Sequence, residues 1–201
     1  MPATKTLPQC AEDAIQTAID DASSEETLAV DGSTYDPVTI DTPVSIQSIF
    51  ARPTIDASGS NPGIAIEAVD TLVSGFEITG DDNTVAGISI RTSNGATQDI
   101  TLRNNVVSGI TGAGGGGDVD VSFGILSFGD QELTNLLVQG NEIENIGRTS
   151  ASDVSGQDEV PGFGMQLEEV GPGPGGAGEE NVPSTILRDN IVRNTRGTAT
   201  D

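Results

Sequence analysis

Four ten-residue segments of this chain align with one another without a gap, and this repeat limits the fold more than any other feature of the sequence. The segments are TLVSGFEITG (71–80), ITLRNNVVSG (100–109), LLVQGNEIEN (136–145) and TILRDNIVRN (185–194). Their first apolar column contains Val73, Leu102, Val138 and Leu187, and their second contains Ile78, Val107, Ile143 and Val192. Repeats of this kind are structural units that bury their apolar residues by stacking on their neighbours.

A second set of short segments lies between the first. These segments are GIAIE (63–67), GISIR (87–91), GILSF (124–128) and GMQLE (164–168). Each begins with glycine and then alternates, which is the period of a β-strand with one buried face. The predicted inward pairs are Ile64/Ile66, Ile88/Ile90, Ile125/Ser127 and Met165/Leu167, and the outward pairs are Ala65/Glu67, Ser89/Arg91, Leu126/Phe128 and Gln166/Glu168.

The two classes of strand alternate along the chain. This predicts an all-β fold, a right-handed parallel β-helix, in which a solenoid of about five coils stacks each strand parallel to its counterpart in the previous coil. Asn105, Asn141 and Asn190 share one column and are predicted to form an asparagine ladder, because Asn tolerates the left-handed conformation of a sharp bend and its amide can reach the next coil. A sandwich of hairpins is the alternative, which the long and unequal spacing of like strands disfavours.

An amphipathic helix is predicted at residues 10–23, ahead of the first coil. Its apolar stripe consists of Ala14, Ile15, Ala18, Ile19 and Ala22, at the spacing of one helical face. Such a helix would cover the open apolar end of the solenoid. Residues 27–59 are predicted to form the first coil, and the whole chain, 1–201, is predicted to be one domain with coils over 27–201.

The chain carries 31 acidic and 8 basic residues, a formal net charge of −23. Such a surface repels nucleic acids and anionic membranes, which makes both poor partners. The acids are interleaved with apolar positions, which indicates a folded acidic surface. The scarcity of lysine resembles proteins of salt-loving organisms, in which salt screens self-repulsion. An acidic surface that attracts cations is the alternative.

The segment MPATKTLPQCAEDAIQ has no apolar signal-peptide core, and no run in the chain approaches the length of a membrane span. The sequence therefore predicts a soluble protein with no signal peptide in this chain and no insertion into a membrane. Cys10 is the single cysteine, so no disulfide forms within the chain. The absence of histidine removes His-based triads and His metal sites.

Five stretches carry a resemblance to a known family. They are AIQTAIDDAS (14–23), LAVDGSTYDPVTIDTPVSIQS (28–48), ARPTIDASG (51–59), VSGFEITG (73–80) and LRNNVVSG (102–109). Together they resemble the pectin-lyase-like right-handed β-helix proteins, especially archaeal surface proteins with repeats like those of the periplasmic copper-site maturation protein. The resemblance implies the fold and a location on a cell surface or virion. It implies no single activity, because the family contains lyases, hydrolases, adhesins, virion spikes and inert scaffolds.

Three longer connections are predicted to be loop insertions on this scaffold, at 111–122, 147–162 and 169–183, where binding or catalysis is commonly found. Polysaccharide lyases of the family hold Ca²⁺ with several carboxylates beside an Arg or Lys base, and its hydrolases use clustered aspartates. By that resemblance the catalytic candidates are Arg91, Asp118, Asp120 and Glu168, and the candidate Ca²⁺ ligands are Asp118, Asp120, Asp153, Asp158 and Glu159. In a chain so rich in acids, solvated surface charge is the simpler interpretation of these residues.

Leu126 and Phe128 are predicted to point outward, where the other coils place small or polar residues. A neighbouring loop that packs over them is the simpler interpretation, and a contact with another subunit is the alternative. Arg103 and Arg188 occupy equivalent positions in their coils. They are interpreted either as solvent-facing turn residues or as a site for a sugar carboxylate.

We therefore expect a non-catalytic β-helix module of a halophile or its virus, a surface, spike or scaffold component that binds a partner protein or a glycan. The alternatives are a polysaccharide lyase or hydrolase acting on an acidic polysaccharide, and a fragment of a larger surface protein. The non-catalytic module requires no cofactor, whereas the lyase alternative would use Ca²⁺. The last segment, TILRDNIVRNTRGTATD, opens a coil without its glycine-led strand. We expect the tail from Arg193 to Asp201, another subunit or further chain to cover that coil.

Overall fold

A computed structural model describes residues 4–7, 12–91, 97–112, 121–129, 133–147, 161–168 and 185–195. The described part contains one helix and 20 strands. In chain order these are β1 (Thr4–Thr6), α1 (Ala14–Asp20), β2 (Glu26–Val30), β3 (Thr34–Tyr35), β4 (Val38–Ile40), β5 (Val44–Ser48), β6 (Thr54–Asp56), β7 (Ile64–Ile66), β8 (Leu72–Ser74), β9 (Glu77–Thr79), β10 (Ala86–Arg91), β11 (Thr97–Gln98), β12 (Thr101–Arg103), β13 (Val106–Ser108), β14 (Ser122–Phe128), β15 (Leu133–Thr134), β16 (Leu137–Gln139), β17 (Glu142–Glu144), β18 (Gly162–Leu167), β19 (Ile186–Arg188) and β20 (Ile191–Arg193).

The strands form three large parallel sheets and one small one. The seven-stranded sheet has the order β1-β2-β5-β8-β12-β16-β19, the six-stranded sheet β3-β6-β9-β13-β17-β20, and the five-stranded sheet β4-β7-β10-β14-β18. Strands β11 and β15 form the two-stranded sheet. From β2 onward the chain visits the seven-, six- and five-stranded sheets in that order again and again. The prediction of an all-β fold with parallel strands is confirmed, and a sandwich of hairpins is wrong because neighbouring strands of the described part run parallel.

The four aligned segments stack in register. Each segment supplies one strand to the seven-stranded sheet and the next strand to the six-stranded sheet. Each member of the two apolar columns lies directly opposite the next member of its column. All members are fully buried except the last ones, Leu187 and Val192, which are 49% and 43% exposed. The gap-free alignment of the sequence is therefore the register of these sheets, because a slip of one residue would turn the apolar columns outward.

The glycines that begin the segments of the five-stranded sheet are needed for a steric reason. A methyl group at Gly124 would lie 2.5 Å from the carbonyl oxygen of Gly164 and would overlap the side chain of Ile143 in the six-stranded sheet. A methyl group at Gly164 would overlap Val192 in the same way. The glycine column thus leaves the space in which the second apolar column packs against the five-stranded sheet.

Asn105, Asn141 and Asn190 lie in one column at the bend between the seven- and six-stranded sheets. The Oδ1 atom of Asn141 accepts both the backbone N–H and the Nδ2 group of Asn105 at 3.0 Å, and the Oδ1 atom of Asn190 accepts the same two groups of Asn141 at 3.0 Å. Phe76 begins the column and donates its backbone N–H to Asn105 Oδ1 at 3.0 Å. The Nδ2 groups of the three asparagines also donate, at 2.8 to 3.0 Å, to the carbonyl oxygens of Val73, Leu102 and Val138. These bonds satisfy backbone groups that the bend removes from the sheets.

The left-handed conformation at this bend belongs to the residue before each ladder position. The residues with positive φ are Gly75 (85°), Asn104 (55°), Gly140 (66°) and Asp189 (57°). Tolerance of left-handed backbone is therefore the wrong reason for an asparagine in the ladder column. The column requires a side chain that accepts from one repeat and donates to another, and a carboxamide does both.

Helix α1 covers the β4 side of the sheets and is shorter than predicted. It spans Ala14–Asp20 rather than 10–23, and residues 10 and 11 lie outside the described residues. Ile15 and Ile19 are fully buried, as the apolar stripe predicted. The helix stops early because the chain must turn into β2, and Glu25 makes this turn with a φ of 69°.

The side chain of Gln16 closes the outer edge of β4. Its Oε1 accepts the backbone N–H of Thr39 at 2.8 Å, and its Nε2 donates to the carbonyl oxygen of Thr39 at 3.2 Å. A single carboxamide thus occupies both backbone groups that a neighbouring strand would bind.

Several boundaries differ from the prediction. Residues 27–59 contain one strand of each large sheet and then β5 and β6, so they exceed one coil. Ser122 and Gly162, predicted in loops, belong to β14 and β18. Strands β1, β11 and β15 were not predicted, because they lie outside the repeated segments and are too short to show alternation by themselves. In the part of the chain that the structure describes, no helix has the length and apolar character needed to cross a bilayer.

Candidate functional site

The outer face of the five-stranded sheet carries two parallel rows of side chains. The inner row consists of Ala65, Ser89, Leu126 and Gln166, which lie opposite one another on β7, β10, β14 and β18. The second row, two residues further along the chain, consists of Glu67, Arg91, Phe128 and Glu168. Arg91 and Phe128 lie opposite one another on β10 and β14, and Glu67 and Glu168 directly follow β7 and β18. We call these eight residues the outer face. Regular parallel pairing places them because alternate residues of each strand point away from the core.

Arg91 is the centre of the second row. Its Nη1 atom lies 3.0 Å from Glu67 Oε1, and its guanidinium carbon lies 5.2 Å from the centre of the Phe128 ring. The arginine side chain is 48% exposed and that of Glu67 is 24% exposed. The guanidinium is therefore held between a carboxylate and an aromatic ring, an ion pair beside a cation–π contact.

Leu126 and Phe128 both lie on the outer face and are half-buried. The Arg91 guanidinium covers part of the Phe128 ring. Between the two residues, Ser127 points inward and is fully buried, at a position where β7 and β10 carry isoleucine. Its hydroxyl donates to the carbonyl oxygen of Glu168 at 3.0 Å and accepts the Glu168 N–H at 2.9 Å. These bonds tie the ends of β14 and β18 together beneath the outer face.

Glu168 is not brought together with Arg91. Glu168 directly follows β18 and Arg91 ends β10, and β14 with Phe128 lies between these two strands. The spacing of strands puts them about 10 Å apart along the row. The Glu168 carboxylate instead accepts a hydrogen bond from Gln166 Nε2 at 2.5 Å. The two catalytic candidates on this face therefore have separate partners.

The acidic candidates in the loops lie outside the described residues. These are Asp118, Asp120, Asp153, Asp158 and Glu159. Within the described ranges, no group of three or more His, Cys, Asp or Glu side chains is arranged to hold a metal ion. The Ca²⁺ prediction concerns the loop residues and stays a prediction.

Arg103 and Arg188 lie in one outward row of the seven-stranded sheet, with Gln139 between them. Arg188 donates from Nη2 to Gln139 Oε1 at 3.0 Å. Two strand spacings separate the arginines by about 10 Å.

A surface groove that sequence reasoning missed lies beside β3 and β6. It has a volume of about 450 Å³ and is lined by Glu12, Thr34, Tyr35, Asp36, Pro37, Asp56, Ser58 and Ser60. Hydrogen bonds from the side chain and backbone of Ser58 hold the pKa of the Asp56 carboxyl below its usual range. No motif indicated the groove, because its lining comes from separate bends that only the stacking of strands brings together.

Asp81 organises the neighbouring bend. Its carboxylate accepts the backbone N–H of Asn83 at 2.9 Å and that of Gly59 at 3.1 Å. These bonds lower the pKa of Asp81, since they stabilise the charged form. Gly59 belongs to the preceding repeat, so the carboxylate joins two successive bends.

No protein-family model matches this chain, and no curated protein is significantly similar to it. The function is therefore argued from the outer face itself. An arginine neutralised by Glu67 and stacked on Phe128 is suited to contact with a surface, because Arg and aromatic side chains are enriched where proteins bind one another.

Proposed function

We propose that the chain folds as a right-handed parallel β-helix of the pectin-lyase-like type, with five complete coils and part of a sixth. The order in which the chain visits the seven-, six- and five-stranded sheets supports this architecture. The stacked apolar columns and the asparagine column, which repeat from coil to coil, also support it.

The function that we propose for this β-helix is non-catalytic binding of a protein partner, as a surface, spike or scaffold module of a halophile or its virus. The observation that carries the proposal is the outer face. There Leu126 and Phe128 lie on β14, next to Arg91 on β10, and Arg91 forms an ion pair with Glu67. Half-buried apolar side chains around a charge-balanced arginine favour a desolvated contact. The net charge of −23 favours a protein that works in high salt.

A lyase would use Arg91 differently. There the arginine accepts a proton from the sugar, which requires it to lose its positive charge. Here the Arg91 guanidinium instead forms an ion pair with the Glu67 carboxylate at 3.0 Å. This arrangement favours binding over catalysis on the outer face.

Depolymerisation assays separate the two functions. Polygalacturonate and alginate are incubated with the protein in molar salt, with and without Ca²⁺, and unsaturated or reducing ends are measured. We expect no turnover above the buffer. Robust turnover that is lost in Arg91→Ala would overturn the proposal and favour the lyase.

A measurement of self-association tests whether the protein partner is a second copy of the chain. Sedimentation velocity over a wide range of protein concentration is compared for the wild type, a Leu126→Ser/Phe128→Ser double variant and an Ala65→Ser control. A dimer that only the double variant loses would assign the contact to the outer face. A monomer at all concentrations would exclude this contact between copies and direct the search to glycans and other proteins.

A further inference from the structure

The bend between β5 and β6 carries an insertion. Six residues separate Gln47 from Thr54, whereas two separate the residues paired with them on β8 and β9. The additional residues, 49–52, include Phe50, which at 84% is the most exposed large hydrophobic residue of the described part, and Ile49, which is 40% exposed. An aromatic ring that is left in water gains free energy when another surface covers it.

Hydrogen bonds hold this insertion in place. The N–H of Ala51 donates to Asp31 Oδ1 at 3.3 Å, and the carbonyl oxygen of Ala51 accepts the Ser48 hydroxyl at 3.1 Å. A methyl group at Gly32 would overlap the side chain of Ala51, so the insertion packs closely on the preceding bend. Phe50 is therefore presented on a backbone that is fixed before binding, which lowers the entropic cost of a contact.

Arg52 ends the insertion and is exposed. In the described part of the chain its guanidinium has no hydrogen-bond or ion-pair partner, whereas Arg91 and Arg193 are paired with glutamates. A guanidinium without a carboxylate beside it can form charge-assisted hydrogen bonds with a partner. The insertion thus combines an exposed aromatic ring with an unpaired positive charge.

The groove beside β3 and β6 has the complementary charge. Glu12, Asp36 and Asp56 place three carboxylates in its lining, and none of its eight described lining residues is basic. The hydrogen bond that the Asp56 carboxylate accepts from the N–H of Ser58 at 3.0 Å stabilises its charged form. A guanidinium that enters this groove would therefore meet uncompensated negative charge.

A second hollow continues the groove. It has a volume of about 260 Å³, shares Pro37 and Ser60 with the groove, and includes Pro62 in its lining. The two proline rings offer apolar surface to an aromatic side chain. An acidic part and an apolar part therefore lie side by side, as Arg52 and Phe50 do in the insertion.

The insertion and the groove lie at opposite ends of β6. Arg52 precedes this strand and Asp56 ends it, so the two are at most about 14 Å apart along the chain. Between them, β3 and β6 place Thr34 and Thr54 on the outward side, and both are small and uncharged. A second copy whose β6 runs in the opposite direction would bring each insertion to the groove of the other copy, so that the same contact forms twice.

We propose that the insertion 49–52 binds the groove of a second copy of the chain in a reciprocal dimer. The guanidinium of Arg52 enters the acidic part of the groove, and the ring of Phe50 packs on the two prolines. High salt screens the repulsion between two chains of net charge −23 and leaves these short-range contacts. The contact uses other strands than the outer face and does not depend on what binds there.

Sedimentation equilibrium in about 1 M NaCl, over protein concentrations of about 1 µM to 1 mM, tests this dimer. We expect the wild type to dimerise as its concentration rises. Arg52→Glu and Phe50→Ser should each weaken the dimer about tenfold, because each lost contact occurs twice. Arg103→Glu is the matched control. It makes the same change of charge at another exposed arginine, on β12, and should leave the dimer unchanged.

An exchange of charges tests the pairing directly. Asp36→Arg makes the chain less acidic and so reduces the general repulsion between copies. It should nevertheless weaken the dimer about tenfold, because it places a positive charge opposite Arg52. The double variant Arg52→Glu/Asp36→Arg exchanges the two charges within one chain and should restore the dimer. Restoration would also establish that both substitutions leave the fold intact.

Three results would overturn the proposal. They are a wild type that stays monomeric over the whole range, equal effects of Arg52→Glu and Arg103→Glu, and a charge-exchanged variant that does not regain the dimer. The first would leave the insertion to a partner of another sequence. A dimer that is lost in Leu126→Ser/Phe128→Ser and kept in Arg52→Glu would also overturn the reciprocal contact and assign the dimer to the outer face. The opposite result would support the reciprocal contact and leave the outer face to other partners.

Discussion

Asn141 accepts two hydrogen bonds from Asn105 through one carboxamide oxygen, both at 3.0 Å. Both residues are 1% exposed, so water does not compete for these groups. The same oxygen thereby serves a backbone N–H and a side-chain N–H of the preceding repeat. Asn105 and Asn141 are therefore buried polar residues whose side chains are hydrogen-bonded on both sides, which makes each of them costly to remove.

Asn141→Leu should lower the free energy of unfolding by about 3 kcal/mol, because it leaves the buried Asn105 N–H and the Leu102 carbonyl without partners. Asn190→Leu is the matched comparison, with an expected cost of about 1 kcal/mol, because Asn190 is only partly buried, at the end of the column. Urea unfolding at constant salt measures both. Equal losses of unfolding free energy in the two variants would contradict the role of burial.

Gly124→Ala should destabilise the protein by about 2 to 3 kcal/mol, since the new methyl group meets the fully buried Ile143 and the carbonyl oxygen of Gly164. Gly164→Ala should cost less than about 1 kcal/mol. The three atoms nearest to its methyl group all belong to the side chain of Val192, which is 43% exposed. Thermal unfolding of the two variants side by side is the measurement, and a larger loss for Gly164→Ala would refute the steric account.

Asp81 should contribute stability that is lost in acid. Its pKa is lowered in the folded protein by the N–H groups of Asn83 and Gly59, so its stabilising effect is complete above the unfolded value of 3.8 and disappears as pH falls through the lower folded value. The difference in melting temperature between wild type and Asp81→Asn should therefore shrink as the pH is lowered below that range. The control is Asp82→Asn, at an exposed neighbouring position. Its melting temperature should differ little from that of the wild type at every pH. A difference for Asp81→Asn that stays constant into strong acid would count against the hydrogen-bonded carboxylate.

The melting temperature should rise with salt concentration. A net charge of −23 on 201 residues produces self-repulsion that folding increases. The screening length falls from about 10 Å at 0.1 M salt to about 3 Å at 1 M, so most of the gain should come in this range. Calorimetry in NaCl and in KCl measures the effect, and the two salts should agree if screening is its cause. A melting temperature independent of salt would contradict this.

Much of the fold could be predicted from the repeat. Side chains in a strand alternate with a period of two, so four segments that align without a gap allow only one register that buries both apolar columns. Strands β1, β11 and β15, which lie outside the repeated segments, and the ends of α1 could not be predicted in this way. Such strands are too short to show periodicity by themselves, and α1 ends at Asp20, before the turn through Glu25 that leads into β2.

Less of the candidate site could be predicted. The alternation of GISIR and GILSF placed Arg91, Leu126 and Phe128 on the outer face. It did not determine that Arg91 binds Glu67 and stacks on Phe128 while Glu168 binds Gln166. These pairings of side chains follow from the order of strands in the five-stranded sheet.

The sequence by itself determined which side chains face the core and which positions share a column, because these depend on local period and on the need to bury apolar residues. Outside the asparagine column, only the tertiary structure decided which polar groups meet. Examples are the carboxamide of Gln16 on the edge of β4 and the carboxylate of Asp81 on Gly59. Such contacts join residues that are far apart in the chain, and their ångström-scale distances depend on how whole strands stack.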